Sequence, residues 1–260
     1  MSKSKYDDWC RDDIISPLQQ RFVKGEFEIE LDGDKEVVTR NTVSTPLQPW
    51  HFPGKYEPDR LCEIWKIYFN SYRIIPKGCL GCWKVMFRPK DIVEFMGIVD
   101  LQEEQAKKDI FCKAGHEERQ IVFGLWSAFW YVPHKATLEE ARKFYGRILK
   151  DIRKVRPTAG KDNPILKRGC TEMENFSNIN FNVGSDHWET LYDQYGWAEV
   201  EKRLEGKFKV DRREQRRPQQ IEKAYMKRKA VEWAYSYGDY KYKEFTDGRP
   251  LFTPPVTYNE

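Results

Sequence analysis

The stretch Lys77-Gly-Cys-Leu-Gly-Cys-Trp-Lys-Val-Met-Phe-Arg88 carries the two signals from which the fold is predicted. From Trp83 onward, its side chains alternate in a pattern typical of a β-strand. Directly before that strand stands a C-x-x-C pair, Cys79 and Cys82. Two thiolates at this spacing can bind one metal ion, because the intervening Gly81 lets the backbone turn around it. The stretch therefore predicts the first strand of a sheet, with a candidate metal site at its beginning.

Five segments after this strand complete a compact core. A helix, two strands, a second helix and a short last strand follow in the order of the split βαβ arrangement. The sequence thus predicts an α+β fold with a ferredoxin-like (βαββαβ) antiparallel-sheet core, whose strands one and two are parallel with strand three between them. The segments are a helix at 89–108, strands from about 110 and at 121–132, a helix opened by the capping-box sequence Thr137-Leu-Glu-Glu140, and a strand at 163–168.

Three regions are predicted along the 260 residues of the chain. Residues 1–75 form an N-terminal extension, a hairpin and a helix that pack on the core. Residues 76–175 form the ferredoxin-like core with the metal site. Residues 176–260 form a basic helical C-terminal region with an extended tail. Between the last two, the asparagine-rich residues 171–184 are predicted to be a loop.

Four cysteines are predicted to meet at one end of the sheet: Cys79, Cys82, Cys112 and Cys170. Cys112 stands at the start of strand two, which is parallel to strand one. Cys170 follows the end of strand four, which is antiparallel to strand one. Four thiolates give Zn²⁺ its preferred closed tetrahedron, and they can also hold a [4Fe–4S] cluster. Zinc is favoured, because these cysteines do not form a compact ferredoxin run.

Other interpretations of the cysteines stay open at this point. Cysteine is among the most buried residue types, so the four could be core thiols. A C-x-x-C pair can also be a redox dithiol, although such a pair normally opens a helix, and here it precedes a strand. Three further residues are set aside as ligands. They are Cys10 in a polar segment, Cys62 as a core residue, and His116 as a solvated side chain among charges.

Positive charge is concentrated in one segment. Residues 207–229 carry ten Lys or Arg and three acidic side chains, a net charge of +7, whereas the whole chain has +4. Two arginine pairs four residues apart share one face if helical, the electrostatic footprint of a protein that binds a phosphate backbone. The predicted partner is nucleic acid, DNA or RNA, with an acidic protein surface as the alternative. The residues predicted to contact nucleic acid are Arg212, Arg213, Arg216, Arg217, Lys227 and Arg228.

The aromatic-rich stretch Phe123-Gly-Leu-Trp-Ser-Ala-Phe-Trp-Tyr-Val132 bears on the kind of binding. RNA-recognition motifs place stacking aromatics on their third strand. This stretch lacks the basic-Gly-aromatic opening of that motif, and it is apolar on both sides. A strand that is apolar on both sides is predicted to be buried on both sides.

Few features indicate an enzyme. The sequence has no G-x-G-x-x-G, P-loop, G-x-S-x-G or H-E-x-x-H motif, and a closed Cys₄ zinc site leaves no position for a substrate. No run approaches the roughly 18 apolar residues of a membrane span, and no secretory signal is visible, which predicts a cytoplasmic protein without a membrane partner. The predicted function is a metal-stabilised nucleic-acid-binding protein. An iron–sulfur redox protein or enzyme and a protein–protein assembly module are the alternatives.

Overall fold

The computed structural model describes residues 27–32, 35–40, 50–53, 60–117, 124–133, 136–160, 163–205 and 219–251. Its residues divide into two compact units. One takes the described residues of 1–51, 91–96 and 216–260, and the other those of 52–90 and 97–215. Residues 1–26 of the predicted N-terminal extension lie outside the described residues.

The described strands and helices follow the predicted order from residue 83 to residue 168. The strands are β1 (Phe27–Asp32), β2 (Lys35–Arg40), β3 (Trp50–His51), β4 (Trp83–Phe87), β5 (Cys112–His116), β6 (Trp126–Tyr131) and β7 (Ile165–Arg168). The helices are α1 (Arg60–Tyr72), α2 (Lys77–Leu80), α3 (Ile92–Ala106), α4 (Leu138–Ile152), α5 (Thr171–Phe181), α6 (Trp188–Gln194), α7 (Trp197–Leu204) and α8 (Gln219–Ser236). Two 3₁₀ turns lie at Ser185–His187 and Tyr240–Glu244.

The fold is mixed α+β, with a five-stranded sheet in the order β3-β5-β6-β4-β7. Strand β6 runs antiparallel to both β4 and β5, so β4 and β5 are parallel to each other. Strand β7 pairs with β4 antiparallel, with Trp83 opposite Arg168. The two-residue strand β3 is an addition to the four strands that the sequence predicts, and the order of five strands does not by itself confirm a ferredoxin-like core. The predicted N-terminal hairpin is confirmed as the antiparallel pair β1–β2.

Helices α3 and α4 lie on one face of the sheet. The indole N–H of Trp130 on β6 donates to Gln105 of α3, and Gln105 in turn donates to Asp151 of α4 at 3.0 Å. The capping box that opens α4 is present, because Thr137 and Glu140 each bond to the other's backbone N–H. Its prediction from sequence is therefore confirmed.

The central strand β6 is buried on both sides. Trp126 and Trp130 are fully enclosed, and so are the intervening Ser127, Ala128 and Phe129. Buried rings offer no surface on which a nucleobase could stack. The prediction of a strand buried on both faces is confirmed for these positions, in agreement with its apolar pattern.

The loop predicted at residues 171–184 is wrong, because residues 171–181 form helix α5. Its buried side is made by Met173 and Ser177, four residues apart, and Ser177 accepts a hydrogen bond from the buried Trp188 indole at 3.0 Å. Tertiary packing thus overrides the weak helix preference of asparagine. Asn182 ends the helix in the left-handed conformation, with φ of 55°, which asparagine tolerates better than most residues.

In the described part of the chain, every helix is too short or too polar to cross a membrane.

Candidate thiol site at the end of the sheet

Helices that come before β4 in the chain and helices that come after β7 together form one apolar cluster around Cys79. Helices α1 and α2 lie between β3 and β4 in the chain, and α5, α6 and α7 follow β7. The cluster buries Cys79 and is completed by the partly buried Cys170. Its other members are mainly aromatic and aliphatic, among them Tyr68, Phe69, Ile75, Met173, Trp188, Leu191, Tyr192 and Trp197. The C-x-x-C pair therefore lies where a helical layer meets the end of the sheet.

The backbone brings Cys82 and Cys170 side by side. Pairing of Trp83 with Arg168 ends the β4–β7 ladder, and one step further the Gly169 N–H donates to the Cys82 carbonyl at 2.7 Å. Cys170 is the next residue and the N-cap of α5. The short helix α2 then closes the C-x-x-C turn, since the Cys82 N–H donates to the Cys79 carbonyl at 3.3 Å.

Two tryptophans press directly on the glycines that neighbour these cysteines. A Cβ on Gly78 would lie 2.0 Å from the Trp65 ring, and a Cβ on Gly169 would lie 2.3 Å from the Trp188 ring. Gly169 also has a φ of 62°, which L-residues other than glycine adopt at a cost. Glycine is therefore required at both positions for the chain to approach the indoles so closely.

The electrostatics of the thiols identify a fourth member of this group, Cys62. The pKa of Cys79 is raised well above its usual range, first by burial and then by negative charge on Cys170, Cys82 and Cys62. Burial raises the pKa of Cys82 to about 12, and Cys170 and Cys62 again contribute. Such mutual influence acts through the low-dielectric interior over more than a bond length, so it places Cys62 in the same region without placing it in contact with the other thiols. The thiol cluster thus consists of Cys62, Cys79, Cys82 and Cys170.

Cys62 was set aside in the sequence because its helix predicted a core position. The sequence contains no signal that links Cys62 to the other thiols: Cys62 stands three residues before Trp65, on the same side of α1, but only the structure shows that Trp65 covers the C-x-x-C turn at Gly78. The contact between Trp65 and Gly78 joins α1 to the C-x-x-C turn, and no local sequence pattern predicts that these two segments touch.

Cys112 occupies a different place. It begins β5, opposite Trp130 of β6, and Val85 of β4 pairs with that same tryptophan from the other side. Two strand spacings, about 10 Å, therefore separate Cys112 from β4. Its thiol donates to the Gln102 carbonyl of α3 at 3.6 Å, and burial, followed by Glu103, raises its pKa to about 12. The structure brings three of the four predicted ligands together and leaves Cys112 under α3.

His116 lies at the opposite end of β5 from Cys112. It is 4% exposed, and its ring meets the edge of Trp126 with the ring centroids 5.9 Å apart. The expectation of a solvated histidine is therefore wrong.

A buried lysine lies beside the thiol cluster. Lys84, only 7% exposed, stands two residues after Cys82, and its ammonium lies 5.0 Å from the centre of the Phe129 ring. Burial lowers the pKa of Lys84, whereas negative charge on Cys170 and Cys82 would raise it. Lys84 and the thiols therefore influence each other's charge inside the same low-dielectric region, and a negative charge on the thiols favours the protonated form of Lys84.

One carboxylate holds the C-x-x-C turn against the helical layer. Glu201 of α7 accepts a hydrogen bond from the Lys77 N–H, the first of α2, at 3.0 Å. The same Glu201 oxygen accepts from the Tyr192 hydroxyl of α6. The bond between Lys77 and Glu201 holds α2 against α7, although the two residues are 124 positions apart in the chain.

The described thiols do not form a metal ligand sphere. Within the described ranges, no group of three or more His, Cys, Asp or Glu side chains is arranged to hold a metal ion. Burial raises the pKa of Cys79 and Cys82, which favours the neutral thiol over the thiolate that a redox dithiol requires. Two roles remain for the thiol cluster. Its cysteines are either core residues or metal ligands that lose their protons when the metal binds.

The residues predicted to contact nucleic acid are only partly described. Arg212, Arg213, Arg216 and Arg217 lie outside the described residues. On α8, Lys227 is 7% exposed, so its predicted contact with nucleic acid is disfavoured by burial. The side chain of Arg228 is 54% exposed, and its Nε lies 3.4 Å from Glu232.

Comparison of the chain with protein-family models, with curated proteins and with solved structures finds no match. The function must therefore be argued from the chain itself.

Proposed function

We propose that this chain is a metal-stabilised nucleic-acid-binding protein in which Cys62, Cys79, Cys82 and Cys170 hold one Zn²⁺ ion. The observation that carries the metal part is that the backbone brings Cys79, Cys82 and Cys170 to one end of the sheet. Cys62 is added to the set because it contributes to the raised pKa of Cys79 and Cys82. Cys62 replaces Cys112 in the set that the sequence alone predicts. The ion ties the helical layer to β4 and β7.

The donor set fits zinc in kind and number. A structural zinc site takes four thiolates at about 2.3 Å in a closed tetrahedron. Binding must draw the four sulfurs inward, since they do not already form a ligand sphere, and it releases the thiol protons. The N-terminus of α5 at Cys170 and the ammonium of Lys84 both favour the negative charge that results.

An iron–sulfur cluster is the alternative at the same cysteines. Four thiolates hold a [4Fe–4S] cluster equally well, and a redox protein or enzyme would then follow. Colour separates the two, because an iron–sulfur protein purified without oxygen is brown and a zinc protein is colourless.

The nucleic-acid part rests on the basic segment at residues 207–229 and its net charge of +7. A polyanion is the partner that such a segment attracts most strongly. The acidic-protein alternative shares this charge argument, but it does not predict binding to every nucleic acid of sufficient length.

We also infer that β4–α3–β5–β6–α4–β7 is a ferredoxin-like unit with β3 as an added edge strand. The order β5-β6-β4-β7 supports this, with β4 and β5 parallel and β6 between them. The position of both helices on one face agrees with it.

A matched pair of variants tests the ligand set. Metal content is measured on the purified protein, on Cys62→Ser and on Cys112→Ser. We expect one zinc per chain in the wild type and in Cys112→Ser, and a clear loss in Cys62→Ser. Cobalt substitution adds a readout from thiolate-to-metal absorption, which weakens when one of four thiolates is removed.

The opposite pattern, with zinc kept in Cys62→Ser and lost in Cys112→Ser, would restore the set predicted from sequence. A wild-type protein that is prepared under reducing conditions and binds no metal would show that the thiols are core residues only.

Salt dependence tests the nucleic-acid part. Binding to a duplex and to a single strand is measured between low and high salt, for the wild type and for a variant with Arg212, Arg213, Arg216 and Arg217 changed to Gln. We expect affinity to fall steeply with salt and the slope to decrease in the variant. Equal affinity and slope in both proteins would remove this segment from the interface.

A further inference from the structure

Three exposed tyrosines lie close together at the end of α8. Tyr235 is 41% exposed, Tyr237 64% and Tyr240 77%, within six residues of the chain. Single exposed aromatics are common on protein surfaces. Three of them within six residues form a candidate interaction site with a large exposed aromatic area.

The segment that carries these rings is held in place by its own contacts. Gly238, with φ of 78°, ends the helix, and the Asp239 N–H donates to the Ala234 carbonyl at 2.8 Å. The buried Tyr242 meets the ring of Tyr235 edge-on, with centroids 5.4 Å apart. The exposed rings are thus attached to an ordered turn, so presenting them costs little further entropy.

Positive charge accompanies the aromatic group. Residues 223–249 carry seven Lys or Arg and four acidic side chains. Arg228 precedes Tyr235 by seven positions on α8, which places both on one face about 10.5 Å apart along the axis. Lys243 is exposed on the turn just beyond Tyr240. One exposed cation therefore precedes the tyrosines along the chain, on the helix face of Tyr235 and beside Glu232, and another follows them.

We propose that Tyr235, Tyr237 and Tyr240 form a stacking surface for the bases of single-stranded nucleic acid, with Arg228 and Lys243 at its phosphates. This inference rests on the proposed nucleic-acid function and names the class of its substrate. Aromatic rings beside cations are how proteins bind single strands without reading sequence, because every base has a flat face. In a duplex the faces are stacked on each other, so the tyrosines select the single strand.

Fluorescence anisotropy with a labelled oligodeoxythymidylate tests the proposal on the full chain. Tyr237→Ala and Tyr240→Ala should each weaken binding about 5- to 150-fold, which corresponds to the roughly 1–3 kcal/mol of one stacked base. Tyr240→Phe should retain most of the affinity, since the ring remains. Tyr72→Ala is the matched control, because Tyr72 is 47% exposed at the end of α1 and belongs to the other unit. It should bind as the wild type does.

The outcomes separate this inference from the function beneath it. If the wild type binds neither the single strand nor a duplex, the nucleic-acid function and the stacking surface both fall. If the wild type binds both equally and the tyrosine variants bind as tightly, the function stands and the stacking surface falls. Circular dichroism of each variant should match the wild type, because the replaced side chains are exposed.

Discussion

The sheet with its two helices and the helical layer around Cys79 differ in how their contacts relate to the sequence. In the sheet region, residues 83–168, every strand pairs with another strand of the same region, from the His116–Trp126 pair of neighbouring strands to the Trp83–Arg168 pair that joins its two ends. In the helical layer, α1 and α2 contact α5, α6 and α7 across more than a hundred residues, as in the bond from Lys77 to Glu201. The elements of the first region each have a local pattern, and a known strand–helix order then predicts how they pair. No such rule predicts the contacts of the helical layer.

The same difference explains the two cysteines whose roles changed. Strand direction correctly predicts that Cys112 begins a strand parallel to β4, and so lies at the same end of the sheet. Direction does not give lateral position, and β6 stands between the two strands. Cys62 approaches from a helix outside the sheet, where strand direction says nothing.

Metal removal should have the largest effect on the free energy of unfolding, and it should change the thiol cluster while leaving the sheet around Cys112 unchanged. Chelation of the zinc-loaded protein should lower the free energy of unfolding by several kcal/mol, because structural metal binding is coupled to folding. It should also expose Cys62, Cys82 and Cys170 to a thiol reagent, while Cys112, 1% exposed under α3, stays unlabelled. Denaturant titration and mass spectrometry of the labelled peptides measure both effects.

Equal protection of all four sites after chelation would contradict the assignment of metal to the thiol cluster. Rapid labelling of Cys112 would contradict its burial beneath the helix.

Gly169→Ala tests the junction between the sheet and the helical layer. The added Cβ would meet the Trp188 ring at 2.3 Å, at a φ of 62°. Left-handed strain of about 1–2 kcal/mol and overpacking of about 1–3 kcal/mol together predict a loss of about 2–5 kcal/mol. Chemical denaturation measures it.

Gly146→Ala is the matched control on α4, where nothing lies within 4 Å of the new Cβ. It should stabilise the protein by about 0.5–1 kcal/mol, since alanine favours the helix. If the two substitutions had the same effect, the close approach of Trp188 to Gly169 would be refuted.

Alkaline pH distinguishes the isolated thiol of Cys112. Burial raises its pKa from 9.0 to about 12, so the neutral thiol stabilises the folded state below pH 9 and this contribution is lost as the pH rises toward 12. Replacement by alanine should therefore make the loss of stability between pH 9 and about pH 10.5 smaller by about 1–2 kcal/mol. Urea titrations at several pH values measure the slope, and an unchanged slope would show that Cys112 titrates normally.

The sequence predicts those features of the structure that depend on residues close together in the chain, and it fails for those that depend on contacts between distant segments. Alternation and the capping box at Thr137 each act within a few residues, and the corresponding strands and helix start are present. Helix α5 was missed because its Asn-rich sequence has a weak local preference and its stability comes from Met173 and Ser177 packing under Trp188. For the candidate site, the turn at Cys79–Cys82 and its neighbour Cys170 could be predicted from strand ends, but Cys62 could not.

The side chains of Glu201 and Thr137 each accept a hydrogen bond from a backbone N–H at the start of a helix, one in the helical layer and one in the sheet region. Replacing them should lower the free energy of unfolding by similar amounts, so the two regions can be compared. Glu201→Gln removes a charged acceptor from the Lys77 N–H and the Tyr192 hydroxyl. A hydrogen bond to a charged group contributes about 1.5–3 kcal/mol when buried, and partial exposure here reduces the expected loss to about 1–2 kcal/mol. Since Glu201 holds the C-x-x-C turn, the variant should also bind zinc more weakly, which competition with a chelator measures.

Thr137→Ala gives the smallest effect, about 1 kcal/mol, because it removes one side of the capping box of α4. It should leave zinc affinity unchanged, since its contact with Glu140 spans three residues and involves no helix of the thiol cluster. A local cap then changes only the stability of its own helix, whereas the cap supplied by Glu201 changes stability and metal affinity together. If Thr137→Ala weakened zinc binding as much as Glu201→Gln, both effects would reflect global stability, and the positioning role of Glu201 would be refuted.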